Sequence, residues 1–172
     1  MTDKGYSRAS PSPRVDRTRW LADEMLGRLA RYLRFVGCDV EYVRGLDDGA
    51  IVTRAVAEDR VLLTRDRSLA VRAPRAIRIQ GLAIGDQWRE LRAAWPDLPV
   101  EVRFDRCSEC NGRLGPYVLG ATPDREDGVP KDRVARGLPL FACERCGHLY
   151  WEGSHTDRIR AQLKSWTEAG PP

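Results

Sequence analysis

Three aspartates, Asp23 in WLADEML, Asp48 in GLDDGAIV and Asp66 in VLLTRDRSL, each stand where a helix is expected to begin. Two of them directly follow a run that reads as a strand. If those strands lie side by side, the carboxylates meet at one edge of one sheet. Such a cluster suits a divalent cation, since magnesium takes a few carboxylate oxygens, keeps several waters and completes its shell with substrate phosphates. Two metals about 4 Å apart activate a water and stabilise the leaving oxygen of an in-line displacement, which is phosphodiester chemistry. Glu24 and Asp47, each adjacent to one of these acids, are further candidate cation ligands or complements to a helix dipole. Each aspartate alone has a plainer explanation, because Asp is among the best helix N-caps. Their matching positions in successive units shift the balance toward metal.

A second constellation lies in the last third of the chain. Cys107 and Cys110 form CSECNG, and Cys143 and Cys146 form CERCGH. Each C-x-x-C lets one tight turn present two thiolates, and four thiolates in a closed tetrahedron describe structural zinc with no open position for chemistry. The Asn-Gly and Gly-His that follow supply the backbone angles such knuckles need. Two disulfides are the alternative, weakened by the lack of a readable secretion signal. Cys38 is left over and is expected to be a small buried hydrophobe. His148 and His155 are reserve ligands; His155 is expected to pack beside Trp151 or to meet phosphate.

These residues need elements to position them. RWLA reads as a buried strand, followed by a helix over MLGRLARYLRFVG with Met25, Leu26, Leu29, Leu33 and Val36 at helical spacing and Gly37 as its C-terminal stop. DVEYVR alternates as a strand, AIVTRAVAED reads as a helix and VLLT as a β-rich run. A short helix near Ser68 to Val71, a strand AIRIQ and a helix GDQWRELRAAW follow, with Pro96 and Pro99 closing the series. Alternation of this kind predicts an α/β fold with a mainly parallel sheet covered on both faces. Strand order 2-1-3-4 would bring Asp23 and Asp66 out of neighbouring strands at the point where ligands bind in such sheets, with Asp48 leaning into the same crevice.

Composition changes near Val100. Beyond it come short strand-like pieces (PYVLGA, PLFA, HLYWEG), a polar excursion from Thr122 to Gly137, and a C-terminal helix with Thr156 as N-cap and Ile159, Leu163 and Trp166 along one face. The expected organisation is a disordered leader over 1–17, a nuclease-like α/β domain over 18–100, and a zinc ribbon with helix and tail over 101–172.

The 172 residues are 42% hydrophobic, enough for one ordinary core plus a small appendage, and the net charge is +4 with a pI near 8.9. Arginine dominates the basic residues, and its planar fork suits phosphate and bases. Arg28, Arg31, Arg65 and Arg67 near the acids, and Arg145 and His155 near the cysteines, are the candidate RNA contacts. Exposed arginines on helices are often only solvated. Arg113, Tyr150 and Trp151 add a further cation and aromatic faces for unstacked bases. No apolar run approaches the roughly 20 residues of a membrane span, so the expectation is a soluble, cytoplasmic protein, a monomer or weak homodimer.

With these segments in view, residues from about Arg19 to Trp95 resemble the PIN-like nuclease superfamily. The whole, carried by LADEMLGRLARYLRFVGCDV, DDGAIVTRA, RVLLTRDRSLA, CSECNG and CERCGHLYWEGSH, resembles the bacterial Mut-seven C-terminal ribonuclease domain family. The resemblance implies a three-layer α/β/α domain with a C-terminal zinc ribbon, acting as a magnesium- or manganese-dependent ribonuclease. Its first acid maps to Asp23, its helix-start acid to Asp48 and its TRD acid to Asp66. Many PIN nucleases carry another acid shortly after the third, where this chain has Arg67, Ser68 and Leu69; Glu24, Asp47 and Asp86 are the substitutes in reach. The competing reading is a non-catalytic RNA-binding zinc-ribbon adaptor whose acids merely cap helices. A phosphotransferase fits poorly, because no D-x-D follows the first strand and lysine is nearly absent from the sheet half.

Overall fold

The computed structural model describes residues 18–120 and 129–170. The leader, the first part of the polar excursion and the last two residues therefore lie outside the described part. Four short strands, β1 (Arg19–Ala22), β2 (Asp39–Tyr42), β3 (Arg60–Thr64) and β4 (Ala76–Arg78), form a parallel sheet in the order β2-β1-β3-β4. Trp20 lies opposite Val40 on one side and Val61 on the other, so β1 is central.

Side chains of successive strand residues point to opposite faces, and the core divides accordingly. Trp20, Ala22, Val40, Val61 and Leu63 join one apolar cluster, while Leu21 and Leu62 join a second. Helices α1 (Gly27–Phe35) and α4 (Ile84–Ala94) cover the first face; α2 (Asp48–Ala57) and α3 (Arg67–Arg72) cover the other. This is the expected α/β/α layering.

The C-terminal third begins with segment 101–113 and continues as a three-stranded antiparallel sheet of β5 (Leu114–Pro116), β6 (Phe141–Cys143) and β7 (Leu149–Tyr150), with a one-turn helix, α5 (Lys131–Ala135), before β6. The sequence predicts a strand over PYVLGA, but the ladder starts two residues earlier, with Leu114 facing Cys143, and ends at Pro116. Two further expectations need correction. Met25 is 56% exposed, because residues Glu24–Leu26 form a 3-10 turn that rotates it off the buried stripe of α1. Thr156 is not the cap of the last helix, α6 (Ser154–Glu168), which starts after Gly153; its hydroxyl donates instead to the Trp151 carbonyl.

Helix α6 belongs to the first apolar cluster. Ile159 and Leu163 are buried there, and Trp166 packs 4.8 Å from the Tyr32 ring and 6.5 Å from that of Trp88. The cysteine-bearing segment meanwhile seals the open edge of β2. Asn111 accepts from the Val40 N–H and donates to Asp39 and Glu41, while Arg34 donates to the Val40 carbonyl and to the carbonyls of Ser108 and Glu109. An exposed edge strand is a template for unwanted pairing; here both outward-facing groups of Val40 are satisfied by side chains.

Asp39 is the centre of this seam, accepting from Arg60, Arg106 and Asn111. Burial pushes its carboxyl up, but the Arg60 and Asn111 hydrogen bonds and the Arg60 and Arg106 charges outweigh burial and hold it below its ordinary value of 3.8. A depressed folded-state pKa contributes stability above the unfolded value that is lost as pH falls through the folded one. Urea unfolding should therefore find Asp39→Asn clearly less stable than wild type at pH 6, with the difference shrinking as pH drops below about 4. A pH-independent difference would mean that the carboxylate charge contributes nothing to the seam.

Candidate metal centres and acidic cleft

The carboxyl ends of β1 and β3 lie next to each other, since Ala22 faces Leu63 and the Asp23 N–H donates to the Leu63 carbonyl at 3.1 Å. Asp23 is only 4% exposed. Its carboxylate accepts from the Met25 N–H at 3.0 Å, so it caps the 3-10 turn, and it also accepts from the hydroxyl of fully buried Thr64. The same Thr64 oxygen accepts from the Asp66 N–H at 2.9 Å. One hydroxyl thus ties the two acid-bearing loops together. Asp66 caps α3 by accepting from the Leu69 N–H, and is itself exposed.

The third acid differs from expectation in detail. Asp47, not Asp48, caps α2, accepting from the Ala50 N–H at 2.9 Å. Asp48 is the first helical residue, and its carboxylate meets the Arg72 guanidinium at 3.1 Å across the α2–α3 gap. Glu24 accepts from the Gly45 N–H at 3.4 Å.

Asp23, Glu24, Asp48 and Asp66 line one cleft of about 130 Å³, completed by apolar side chains of Val43, Leu46, Ile51 and Leu69. Among the described residues that line it there are four carboxylates and no cationic side chain. Among the substitutes for a further acid, Glu24 lies in this wall, Asp47 does not, and Asp86 is paired with Arg89 on α4. The four carboxylates are neighbours without meeting at one point. Among the described residues only the four cysteines have ligand atoms all within 4.8 Å of one another.

At the cysteine site Cys107 and Cys146 sulfurs are 3.7 Å apart and those of Cys110 and Cys143 are 3.4 Å apart. A Zn–S bond of about 2.3 Å implies tetrahedral S···S edges of about 3.8 Å, so the cage can hold an ion such as zinc. Each knuckle turns its amides inward: Cys110 N–H donates to Cys107 Sγ and Cys146 N–H to Cys143 Sγ, both at 3.5 Å. Asn111 and Gly147 occupy left-handed backbone, at φ 65° and 74°. Gly112 has a different reason to be glycine, since a Cβ there would lie 2.7 Å from the Cys143 sulfur. Burial pushes the Cys110 thiol up to about 12. Burial also opposes ionisation of Cys143, but the amides of Cys146 and Arg145 and the neighbouring thiols outweigh it and draw that thiol down to about 7. Tyr150 reaches Cys107 with its hydroxyl at 3.1 Å, a contact that spacing did not suggest. Cys38 is buried outside the cage, as expected.

The candidate RNA contacts divide. Arg28 is exposed on α1; Arg31, on the same face, pairs with Glu109. Arg65 has a buried Nε with no hydrogen-bond partner among the described residues, and Arg67 is exposed at the start of α3. Arg145 donates to the Cys110 carbonyl and lies near Glu41. His155 packs edge-on against Phe35, with ring centroids 6.2 Å apart.

A parallel four-stranded sheet with acids at its carboxyl edge, joined to a four-cysteine cage, defines an α/β protein with a candidate cation cleft. A family model described as the Mut7-C RNAse domain matches residues 18–163, and the chain belongs to that family. The family description gives ribonuclease activity, with RNA as substrate. No curated protein and no solved structure matches the chain. Among the described residues no helix is long and apolar enough to cross a membrane.

Proposed function

We propose that this chain is a PIN-like ribonuclease that uses magnesium or manganese, held by Asp23, Asp48 and Asp66 with Glu24 as the additional acid. The observation that carries this reading is the convergence of four carboxylates on one cleft wall, where, among the described residues, the only cationic partner is Arg72 on Asp48. Oxygen ligands from several carboxylates in one cleft are the donor set that a hard divalent cation takes. A divalent ion bound there supplies Lewis acidity for phosphate oxygens and lowers the pKa of the attacking water.

The protein's own groups provide positioning. Thr64 fixes the Asp23 carboxylate and the Asp66 loop in one mutual arrangement. Val43, Ile51 and Leu69 give the cleft apolar sides between the carboxylates. Asp48 must exchange Arg72 for the cation, and the released guanidinium is then free to hold a phosphate of the RNA. In the same proposal residues 18–100 are the catalytic unit, and 101–172 a zinc ribbon that aids RNA binding, followed by α6, which packs back into the core of the catalytic unit. The cysteines hold zinc structurally. A cytoplasmic monomer or weak homodimer fits this role.

End-labelled single-stranded and structured RNAs, incubated with magnesium, manganese or a chelator, test the proposal. Cleavage independent of divalent metal would refute it. Arg72→Ala provides a finer check. Its pair with Asp48 is half-exposed on both sides, and such pairs contribute about 0.2–1 kcal/mol. Removing the competitor should lower the manganese concentration for half-maximal cleavage by about 1.4- to fivefold, at RT near 0.59 kcal/mol; an unchanged requirement would show that Asp48 does not have to leave Arg72.

A further inference from the structure

A second cavity, of about 460 Å³, opens between the end of α1, segment 102–109, β7 and the first turn of α6. It is separate from the acidic cleft and within the size range of small-ligand sites. Its wall is unusually aromatic: Phe35, Phe104, Tyr150, Trp151 and His155 all line it. Arg103 lines it too, and its guanidinium has no acidic partner among the described residues, whereas Arg31 and Arg106 at the same wall are paired with Glu109 and Asp39. Flat rings beside an uncommitted guanidinium match a base with its phosphate, because every base offers a π-face and stacking tolerates any sequence.

The cavity is also connected to the cleft by charge. Helix α1 starts just after the Asp23 turn and ends at Phe35. Arg28, Arg31 and Phe35 are three and four residues apart, so they share one helical face, and the intervening Leu29, Ala30, Leu33 and Arg34 are buried. That face carries two exposed arginines over about 10 Å, at 1.5 Å rise per residue. The Arg31–Glu109 pair is half-exposed on both sides and gives way easily to a phosphate.

We infer that this aromatic cavity binds one unpaired nucleobase of the RNA substrate, and that Arg28 and Arg31 carry the strand's phosphates from it to the acidic cleft. The inference rests on RNA being the substrate. It narrows the substrate class to RNA with an unstacked, single-stranded nucleotide beside the cleavage site. Duplex RNA keeps its bases stacked and cannot fill the cavity.

Anisotropy titrations of the zinc-loaded full chain, without magnesium or manganese, provide the test. The probes are a labelled 2′-O-methyl RNA strand, the same strand annealed in a duplex, and a sugar-phosphate strand of equal length lacking bases. Wild type should prefer the base-bearing strand over the other two by about tenfold, the lower range of one base–aromatic stack. Trp151→Ala and His155→Ala should each erode that preference, and His155 is exposed, so its variant keeps the fold. Arg28→Ala with Arg31→Ala should weaken all three probes alike. Equal binding of the base-bearing and baseless strands by wild type would overturn the inference, as would an undiminished preference in both aromatic-site variants. Cleavage assays on Asp23→Asn report separately on the acidic cleft, so failure of the nuclease reading leaves the binding result intact.

Discussion

Asp23→Asn is expected to reduce magnesium- or manganese-dependent RNA cleavage by two to three orders of magnitude while the protein remains folded. Metal-held charge stabilisation is worth several kcal/mol in the transition state, and each 1.36 kcal/mol is about tenfold in rate. Asn is nearly isosteric: its single oxygen can still accept from the Met25 N–H, and its NH2, standing where Oδ2 was, can donate to the Thr64 oxygen in place of the bond that Thr64 donates to Asp23. What disappears is the negative charge most deeply set in the cleft. Asp66→Asn should behave alike, with its cap to Leu69 retained, and Asp47→Asn should not, because Asp47 lies outside the cleft wall. Wild-type rates in Asp23→Asn would favour the alternative, an RNA-binding adaptor whose acids cap helices. The measurement is single-turnover cleavage with thermal unfolding as the control for folding.

If the cysteine cage holds zinc as proposed, its removal is expected to have the largest effect on stability. Structural zinc contributes about 10–16 kcal/mol of apparent binding energy in zinc-finger peptides, and that energy is folding energy. Here the cage also anchors Asn111, and Asn111 together with Arg34 satisfies the outward groups of Val40 at the sheet edge. Chelation or Cys107→Ser should lower Tm by about 10 °C or more, taking 2–4 °C per kcal/mol for a chain of this size. Amide exchange at Val40 should accelerate selectively, since its acceptor sits on the knuckle. Elemental analysis should find one zinc per chain in freshly purified, reduced protein and none in the stripped form. A stripped protein with unchanged Tm and unchanged Val40 protection would show that the seam holds without metal.

Much of this was legible in the sequence because it is local. Period-2 and period-3.6 patterns reflect which side chains can face the core, so RVLLT and LGRLARYLRF announce their elements before any partner is known. The C-x-x-C spacing fixes two sulfurs to one turn. Asp23 and Asp66 cap the turns they begin, as their chemistry dictates. Boundaries are less legible where local preference is weak: spacing alone places Met25 in the helix although it sits in a 3-10 turn, and Thr156 has cap chemistry although Gly153 holds that position.

Other features depend on the path of the chain through space, and no spacing encodes them. Glu24 and Asp47 looked equivalent, each beside a candidate ligand; strand pairing and the 3-10 turn place the first in the cleft wall and leave the second as a cap. Asp48 was legible as an acid at a helix start, but its pairing with Arg72 arises only because α2 and α3 lie on one face of the sheet. The bond from Asn111 to β2 spans 71 residues, and the aromatic cavity draws on α1, β7 and α6 together. The sequence by itself determined most of the elements, the two cysteine pairs and the resemblance to the family, because short-range hydrogen bonding, hydrophobic periodicity and residue spacing specify them. Only the tertiary structure decided which acids share a wall, which arginines are already paired and what seals the sheet, because those outcomes are set by long-range packing and by competition among side chains for the same partners.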